Sequence, residues 1–553
     1  MKQPLLANRT YLFLFALLAP VYIIGLFVPL MDNDSAHHAG IGLHMYLTGD
    51  YVTLIDQQGD YIDKPHFLFW VSALSYHVFG VSSFAYKFPS FLFTLAGIYS
   101  VFRLAKELYN YETGKLAALI YASSFCILLA SNDVRMDAIL TAAISFALWQ
   151  LVAYVHHKKF IYLTGAALGL AVGFATKGHV GLVTPVAGIF FYILYKKEWR
   201  LLYDWRWLIL IFLFSLFISP VVYCYYLQFN LHPEKISRGI KGINGVKYIL
   251  WGHSFERISG SERFGAAGKE DKFYFLHTFL WTFAPWCLAA YIAFFLRIKN
   301  VFLRNTEWLS TGIFLLLGLL INFSNFKLSH YLVVLAPATA LMAAHFFVSV
   351  WNNERLKKRI FLLQTIASFL VLLLAVIVNA WAFPVKSFLL IAVTILLLAT
   401  VFYFFISRSF SAPQKAVTIS ASSMVLLFFL LNSNFYPQLL TYQGGKPLAD
   451  MTKGIVNPKD VYFWKNTSAP SYSFYSSSLR QDYDDSLIGT GRYTWLLYQK
   501  SQQAKIDSAG FIFGKIFSAA DYEITRLKKN FINPATRKET LDEMILAEVK
   551  GKK

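Results

Sequence analysis

Apolar runs recur along most of the chain, and polar residues gather in the gaps between them. Runs near 10–30, 84–102, 116–131, 138–155, 160–175, 180–195, 207–228, 275–296, 308–323, 331–350, 360–381, 388–407 and 416–433 approach the roughly 20 apolar residues a membrane helix needs. They predict about 13 spanning helices, several of them short. The first run is too long for the apolar part of a signal peptide, and no small-residue cleavage site follows, so it reads as an uncleaved span. Phe67–Gly80 is apolar over only 14 residues, too short to cross. It is expected to lie at the interface or pack on the bundle. From about residue 434 the pattern changes and polar residues return. Val461–Trp464 and Ser471–Tyr475 look strand-like, and Lys538–Val549 helix-like. The organisation expected is a membrane domain over 1–433, with external loops 31–83 and 229–274, and a small external α/β domain over 434–553.

Composition narrows this reading. Hydrophobic residues make up 56% of the 553 and charged residues 15%, against about 25% charged in ordinary globular proteins. A soluble multi-domain protein, a disordered chain and a disulfide scaffold are excluded. The fold class is an α-helical polytopic membrane protein. The net charge of +20, from 51 basic and 31 acidic residues, would suggest nucleic acid in a soluble protein. Here it marks cytoplasmic loops, and no nucleic-acid motif is present. Cys126, Cys224 and Cys287 lie in apolar runs without metal spacing and read as small core residues.

The loops give an orientation. With Lys2 and Arg9 cytoplasmic, the loops on that side carry Arg103 and Lys106, Lys158 and Lys159, Lys196 and Lys197, Arg297 and Lys299, Lys357 and Lys358, and Arg408 and Lys415. This is a consistent positive-inside pattern, and an odd number of spans puts the C-terminus outside. The opposite side differs. Loop 31–66 holds Asp32, Asp34, Asp50, Asp56, Asp60 and Asp63 against Lys64 alone. Loop 229–274 is basic, with Lys235, Arg238, Lys241, Lys247, Arg257, Arg263, Lys269 and Lys272. Either an anionic ligand sits there, or acids such as Glu234, Glu256 and Asp271 neutralise the loop on a solvated face.

No acid, lysine or arginine falls in the middle of a predicted span, where ion-coupled transporters usually need one. Ionisable residues crowd the outer helix ends instead: Asp32-Asn-Asp34, Asp63-Lys-Pro65, Asp133-Val-Arg-Met-Asp137, Thr176-Lys-Gly-His-Val-Gly181 and Asn325-Phe-Lys-Leu-Ser-His-Tyr331. Carboxylates can act as general bases or orient an acceptor, and lysine or arginine can hold a phosphate. Each residue alone reads more readily as an interfacial anchor or a helix cap. Their convergence from separate loops is what favours an active site at the outer boundary of the membrane.

The order of these motifs resembles that of the GT-C glycosyltransferases that use polyprenyl-phosphate sugars, the group holding the aminoarabinose transferase of lipid A and the protein O-mannosyltransferases. The matching segments are Asp34-Ser-Ala-His-His-Ala, Leu47-Thr-Gly-Asp-Tyr51, Tyr61-Ile-Asp-Lys-Pro65 with Phe69-Trp70, Arg135-Met-Asp137, Thr176–Gly181, and Lys327 with Tyr331 and Pro337. The resemblance covers roughly residues 10–350. It implies a GT-C fold of about 13 membrane helices with external interfacial helices. It implies Asp34 and Asp137 as catalytic residues, and Lys64, Arg257, Lys327 and Tyr331 as the donor-phosphate site. Asp63, Arg135, Lys177 and His330 would support them. Where the family has Asp-Glu followed by Arg and Tyr, this chain has Ser35, His37 and His38, and the family's Glu-Lys-Pro becomes Asp63-Lys64-Pro65. No metal group is named by the residues; His253 and Asp63 are where a divalent metal would be sought.

The function expected is an inverting transferase. It moves a sugar from a polyprenyl-phosphate donor, such as an undecaprenyl one, to an envelope acceptor: a lipid A-like glycolipid, a glycan or a protein. The absence of a Gly-rich nucleotide-cradling loop fits a lipid donor. The expected location is the bacterial inner membrane, N-terminus cytoplasmic and C-terminus periplasmic, with membrane lipids as surroundings and no nucleic-acid partner. The rival readings are a flippase or transporter of lipid-linked sugars, and a structural subunit of an envelope glycan complex.

Overall fold

A computed structural model describes residues 4–552 apart from 33, 238, 253–270, 272, 304–305, 325–326, 350–353 and 485–493. The N-terminal half runs through α1 (Asn8–Phe27), α2 (Asp34–Thr48), α3 (Phe67–Phe79), α4 (Ser83–Leu108), α5 (Tyr111–Ala122), α6 (Phe125–Asn132), α7 (Asp137–His157), α8 (Phe160–Lys177), α9 (Val180–Lys196) and α10 (Arg206–Tyr225). Among the described residues nine helices are long and apolar enough to cross a membrane: α1, α4, α7, α8, α10 with its extension to Asn230, and Ser329–Ser349, Glu354–Ala382, Phe388–Ile406 and Ala412–Tyr442. α5 and α6, bent by 53°, would make a tenth.

The shortfall from about 13 has local causes. The run predicted over 116–131 bends at Ser123-Ser124, whose hydroxyls donate back to Leu119 O and Ile120 O, an arrangement that commonly bends helices. The run over 275–296 separates into Tyr274–Thr282 and Cys287–Lys299, with Pro285 between them lacking an N–H to donate. α9 has 17 residues and Leu309–Phe323 has 15. Burial separates the spans by role. α7 is almost wholly enclosed, whereas Phe388–Ile406 turns Phe388, Leu389 and Leu396 outward. An outward apolar face suits contact with lipid chains. The three cysteines are free and buried.

Phe67–Gly80 forms α3, thirteen residues long, which packs with α2 and α4. Leu43, Met45, Leu68, Phe69, Tyr76 and Phe474 share one buried cluster, so the C-terminal region is joined to α2 and α3. That region holds a sheet of order β5 (Val461–Phe463), β6 (Thr494–Gln499), β8 (Asp542–Lys552) and β7 (Phe511–Asp521). The hairpins β1 (Ile55–Asp56) with β2 (Gly59–Asp60) and β3 (Ile236–Ser237) with β4 (Ile240–Lys241) precede it. β5 runs parallel to β6, and β8 is antiparallel to both its neighbours. Two sequence readings are corrected here. The helix-like Lys538–Val549 is mostly the inner strand β8. Its sides both face protein, Leu546 lying in one cluster and Ile545 and Ala547 in another, so no strand alternation was visible. The strand-like Ser471–Tyr475 is a helix, Pro470–Tyr475, opened by a proline in its first turn.

A polar clasp ties this region to the end of α1. Ser471 donates through N to Asp32 Oδ1 at 2.8 Å and through Oγ to Oδ2 at 2.9 Å. Asp32 N donates to Gln443 Oε1 at 2.7 Å, and Gln443 Nε2 donates to Leu30 O at 2.9 Å. Burial pushes the Asp32 carboxyl up to about 7, against the two Ser471 hydrogen bonds and helped by Asp521. A raised folded-state value means the fold holds the proton more tightly than the unfolded chain. The associated stability is complete below the ordinary carboxylate value and is lost as pH rises through about 7. Asp32→Asn keeps an acceptor for Ser471 and removes the charge. The melting temperature of the variant, measured in detergent, is expected to gain on the parent between pH 5 and pH 8. A pH-independent difference would contradict this.

Candidate active site

A cavity of about 580 Å³ opens between the start of α2, the 56–64 segment, Arg135, the end of α8, the β3–β4 hairpin and 328–331. Asp34, Asp63, Lys64, Arg135, Lys177, His330 and Tyr331 all line it. Asp34 is the first residue of α2, where a carboxylate is favoured by the helix N-terminus. Its side chain is 48% exposed and faces the cavity. Arg135 Nη1 donates to Asp34 Oδ2 at 3.0 Å while its Nε donates to Asp133 Oδ2 at 2.5 Å. Arg135 thus bridges a buried acid and an open one. Burial pushes the Asp133 carboxyl up, and the Arg135 charge pulls it back.

The next residue carries the turn. Met136 has φ +90°, a left-handed conformation costing a side-chain-bearing residue of order 1–3 kcal/mol. Its side chain is fully buried in the cluster with Leu30, Phe69 and Ile139, which offsets that cost. The turn leaves Arg135 joined to Asp34 and Asp137 joined to Lys177.

Lys177 Nζ donates to Asp137 Oδ1 at 2.7 Å, both side chains nearly inaccessible. The ammonium lies 5.1 Å from the Tyr331 ring centre. Close contact of α8 with α9 sets this end of α8. A Cβ on Gly181 would meet the Gly173 carbonyl carbon at 2.3 Å, so only glycine allows the approach. Asp137 borders a separate cavity of about 110 Å³, shared with Asp133, Arg135 and His330.

The remaining predicted residues distribute unevenly. Lys327 Nζ donates to Asp271 O at 2.9 Å and is not among the residues bordering the large cavity. Arg257 and His253 lie outside the described residues. Among the described residues no group of three or more His, Cys, Asp or Glu is placed to hold a metal. The basic loop meets the acidic one: Lys235 Nζ pairs with Asp60 Oδ1 at 3.1 Å, and Ser237 Oγ donates to Asp60 O at 2.6 Å. An acid of the other loop, outside both readings of loop 229–274, therefore receives part of its charge.

Sequence reasoning passed over several residues here. His37, His38 and Asp56 border the cavity, and the only signal was that histidines stand where the family has Arg and Tyr. Burial holds the His38 imidazole far below its ordinary value, and like charges nearby add to this. His66, at about 4 through burial, bonds Val52 O at 2.8 Å. Both rings are therefore neutral near pH 7; among the described residues, Lys64, Arg135 and Lys177 are the amine and guanidinium cations that border the cavity. Lys87 was also missed. It is fully buried near the start of α4 and donates to Gly25 O at 3.1 Å and Val28 O at 2.8 Å, fixing the end of α1 that leads into Asp32 and Asp34.

Residues 63–224 match the family described as dolichyl-phosphate-mannose-protein mannosyltransferase. An undecaprenyl phosphate-alpha-4-amino-4-deoxy-L-arabinose arabinosyl transferase 2 of Pseudomonas fluorescens is 27% identical over 342 residues, 60% of this chain and 58% of that protein. A Pseudomonas aeruginosa transferase of the same kind is 30% identical over 33% of this chain and 34% of its own length. The chain thus spans less than two thirds of these curated relatives. The crystal structure of ArnT from Cupriavidus metallidurans bound to undecaprenyl phosphate superposes with TM-score 0.74 at 16% identity, covering 98% of both chains. The chain has the GT-C fold. The GT-C fold places its spans as a multi-pass membrane protein. In this GT-C chain the cavity brings Asp34 and Lys64, from the first long loop, together with Arg135, Lys177 and Tyr331 from later segments.

Proposed function

We propose that the protein transfers a sugar from a polyprenyl-phosphate donor to an envelope acceptor at the outer face of the inner membrane, with inversion at the anomeric carbon. The observation that carries the reading is the 580 Å³ cavity, in a GT-C fold, where a half-exposed carboxylate and, among the described residues, three cations converge. The relatives named for undecaprenyl-phosphate aminoarabinose support a donor of that lipid class. Positive-inside counting supports the N-terminus in the cytoplasm and the C-terminal sheet outside.

The residues divide the work as follows. Lys64 and Lys177 hold the donor phosphodiester, with Tyr331 beside them. The acceptor oxygen attacks the anomeric carbon as the bond from that carbon to the phosphate oxygen breaks. The lipid phosphate leaves with the bonding pair, and the cations stabilise its charge. Asp34, aimed by Arg135, takes the proton when the acceptor is a hydroxyl. Asp137 fixes Lys177.

Lys64 tests the donor half directly. A charge-assisted contact to phosphate contributes about 1.5–3 kcal/mol, or about 10- to 150-fold in affinity. Lys64→Ala is expected to weaken undecaprenyl phosphate binding by that order in nanodiscs with little change in melting temperature. Lys64→Arg should keep part of it, since charge survives while geometry changes. Unchanged binding by Lys64→Ala moves the phosphate away from Lys64. No binding by the parent overturns the lipid-donor reading.

A further inference from the structure

Beside the catalytic cavity lies a second groove of about 370 Å³. The two share His37, Asp56 and Gln58, and His37 Nε2 stands 3.6 Å from Asp56 Oδ2 on their common border. One wall is α2 at Gly40 and His44; the other is Ser473, Ser478, Arg480 and Asp482 of the C-terminal region. The groove therefore exists only because that region closes against α2.

Its chemistry is that of a carbohydrate site rather than an anion site. Among the described residues Arg480 is the groove's one guanidinium, and no lysine borders it. Arg480 is already committed: Nε and Nη2 donate to Asp482 Oδ1 at 2.8 and 2.6 Å, and Nη1 donates to Thr467 O at 2.7 Å. Asp56 and Asp482 add negative charge. Burial lowers the His44 imidazole, so it adds no positive charge near pH 7. A phosphate would meet acids and a spent cation. Hydroxyls, amides and carboxylates together suit the paired donors and acceptors of a sugar ring. Two groups await such partners: Ser473 Oγ and His44 Nδ1 are buried without a hydrogen bond, and Ser473 is only 6% exposed. Gly40 leaves room, since a Cβ there would meet nothing within 4 Å.

We propose that this groove binds an uncharged sugar unit of the acceptor and presents one of its hydroxyls to Asp34. The inference rests on the transferase reading and deepens it: the acceptor atom is a glycan hydroxyl rather than a phosphate oxygen. The step balances simply. The hydroxyl oxygen bonds the anomeric carbon, its proton passes to Asp34, and the lipid phosphate departs with the pair from the broken bond.

Gly40 supplies the test, because it borders the groove, a Cβ there meets no protein atom within 4 Å, and glycine is the poorer helix former. The full-length parent, Gly40→Ala and Gly40→Phe would be placed in nanodiscs. Saturation-transfer NMR would use methyl α-D-glucopyranoside and methyl α-D-galactopyranoside as probes, with glucose 1-phosphate as the charged competitor. Undecaprenyl phosphate binding would be measured in parallel. At least one methyl glycoside is expected to give signal in the parent, little changed in Gly40→Ala and reduced at least fivefold in Gly40→Phe. Undecaprenyl phosphate binding should be equal in all three. Glucose 1-phosphate should compete no better than the neutral sugars. No methyl glycoside signal, an unaffected Gly40→Phe, or tenfold better competition by glucose 1-phosphate overturns the groove assignment. Those results leave the donor reading standing if undecaprenyl phosphate still binds; loss of that binding in the parent strikes the donor reading instead.

Discussion

Replacing Asp34 by asparagine is expected to lower transfer by about 10²- to 10⁴-fold, the range general-base catalysis supplies, while leaving the protein folded. The side chain is 48% exposed and, among the described residues, is bonded to Arg135 Nη1 at 3.0 Å. Asparagine keeps the size and a carbonyl oxygen for that bond and removes the basic oxygen. Undecaprenyl phosphate binding and the melting temperature should therefore stay close to those of the parent, with the loss confined to turnover. The measurement is single-turnover transfer in nanodiscs beside a binding titration. If the variant turns over at the parental rate, Asp34 does not take the proton. If binding falls as much as turnover, Asp34 organises the donor site rather than the acceptor. The two results separate chemistry from positioning, since Arg135 also anchors the buried Asp133 and would stay in place.

The spans were legible because lipid imposes a simple pattern. A helix that meets hydrocarbon must be apolar for about 20 residues, and α1, α4, α7, α8 and α10 announce themselves that way. The breaks were not legible from apolarity. Ser123-Ser124 keeps the run hydrophobic overall while its hydroxyls compete for helix carbonyls. The acids and cations were legible as a set of outer-end residues, but their pairing was not. Arg135 chooses Asp34, 101 positions away, and Lys177 chooses Asp137, 40 away. Both choices depend on the left-handed turn at Met136, which no propensity suggests for a methionine. The C-terminal region was hardest. Its clasp joins Asp32 to Ser471 over 439 positions, and its inner strand hides its alternation by burying both faces.

The buried Asp137–Lys177 pair should give the largest stability effect. Both side chains are nearly inaccessible and 2.7 Å apart. Removing one charge from such a pair leaves the other nearly inaccessible and unpaired, at a cost of about 3–5 kcal/mol. Lys177→Met and Asp137→Leu are each expected to show that loss by denaturant titration in detergent. The double variant removes both charges and leaves apolar groups in their place. Such replacements are often neutral or stabilising, so it should recover most of the stability. The coupling between the two positions would then be several kcal/mol, well beyond the additivity expected of independent sites. Turnover gives the second readout. Lys177 reaches the large cavity and lies beside Tyr331, so an apolar pair in a sound fold should still fail to hold the donor phosphate. A double variant that is stable and active would reduce the pair to a brace between α7 and α8. A double variant that is stable, inactive and weak for undecaprenyl phosphate would place Lys177 on the phosphate, with Asp137 as the residue that positions it. Two losses that simply add would mean that the ion pair contributes nothing as a pair.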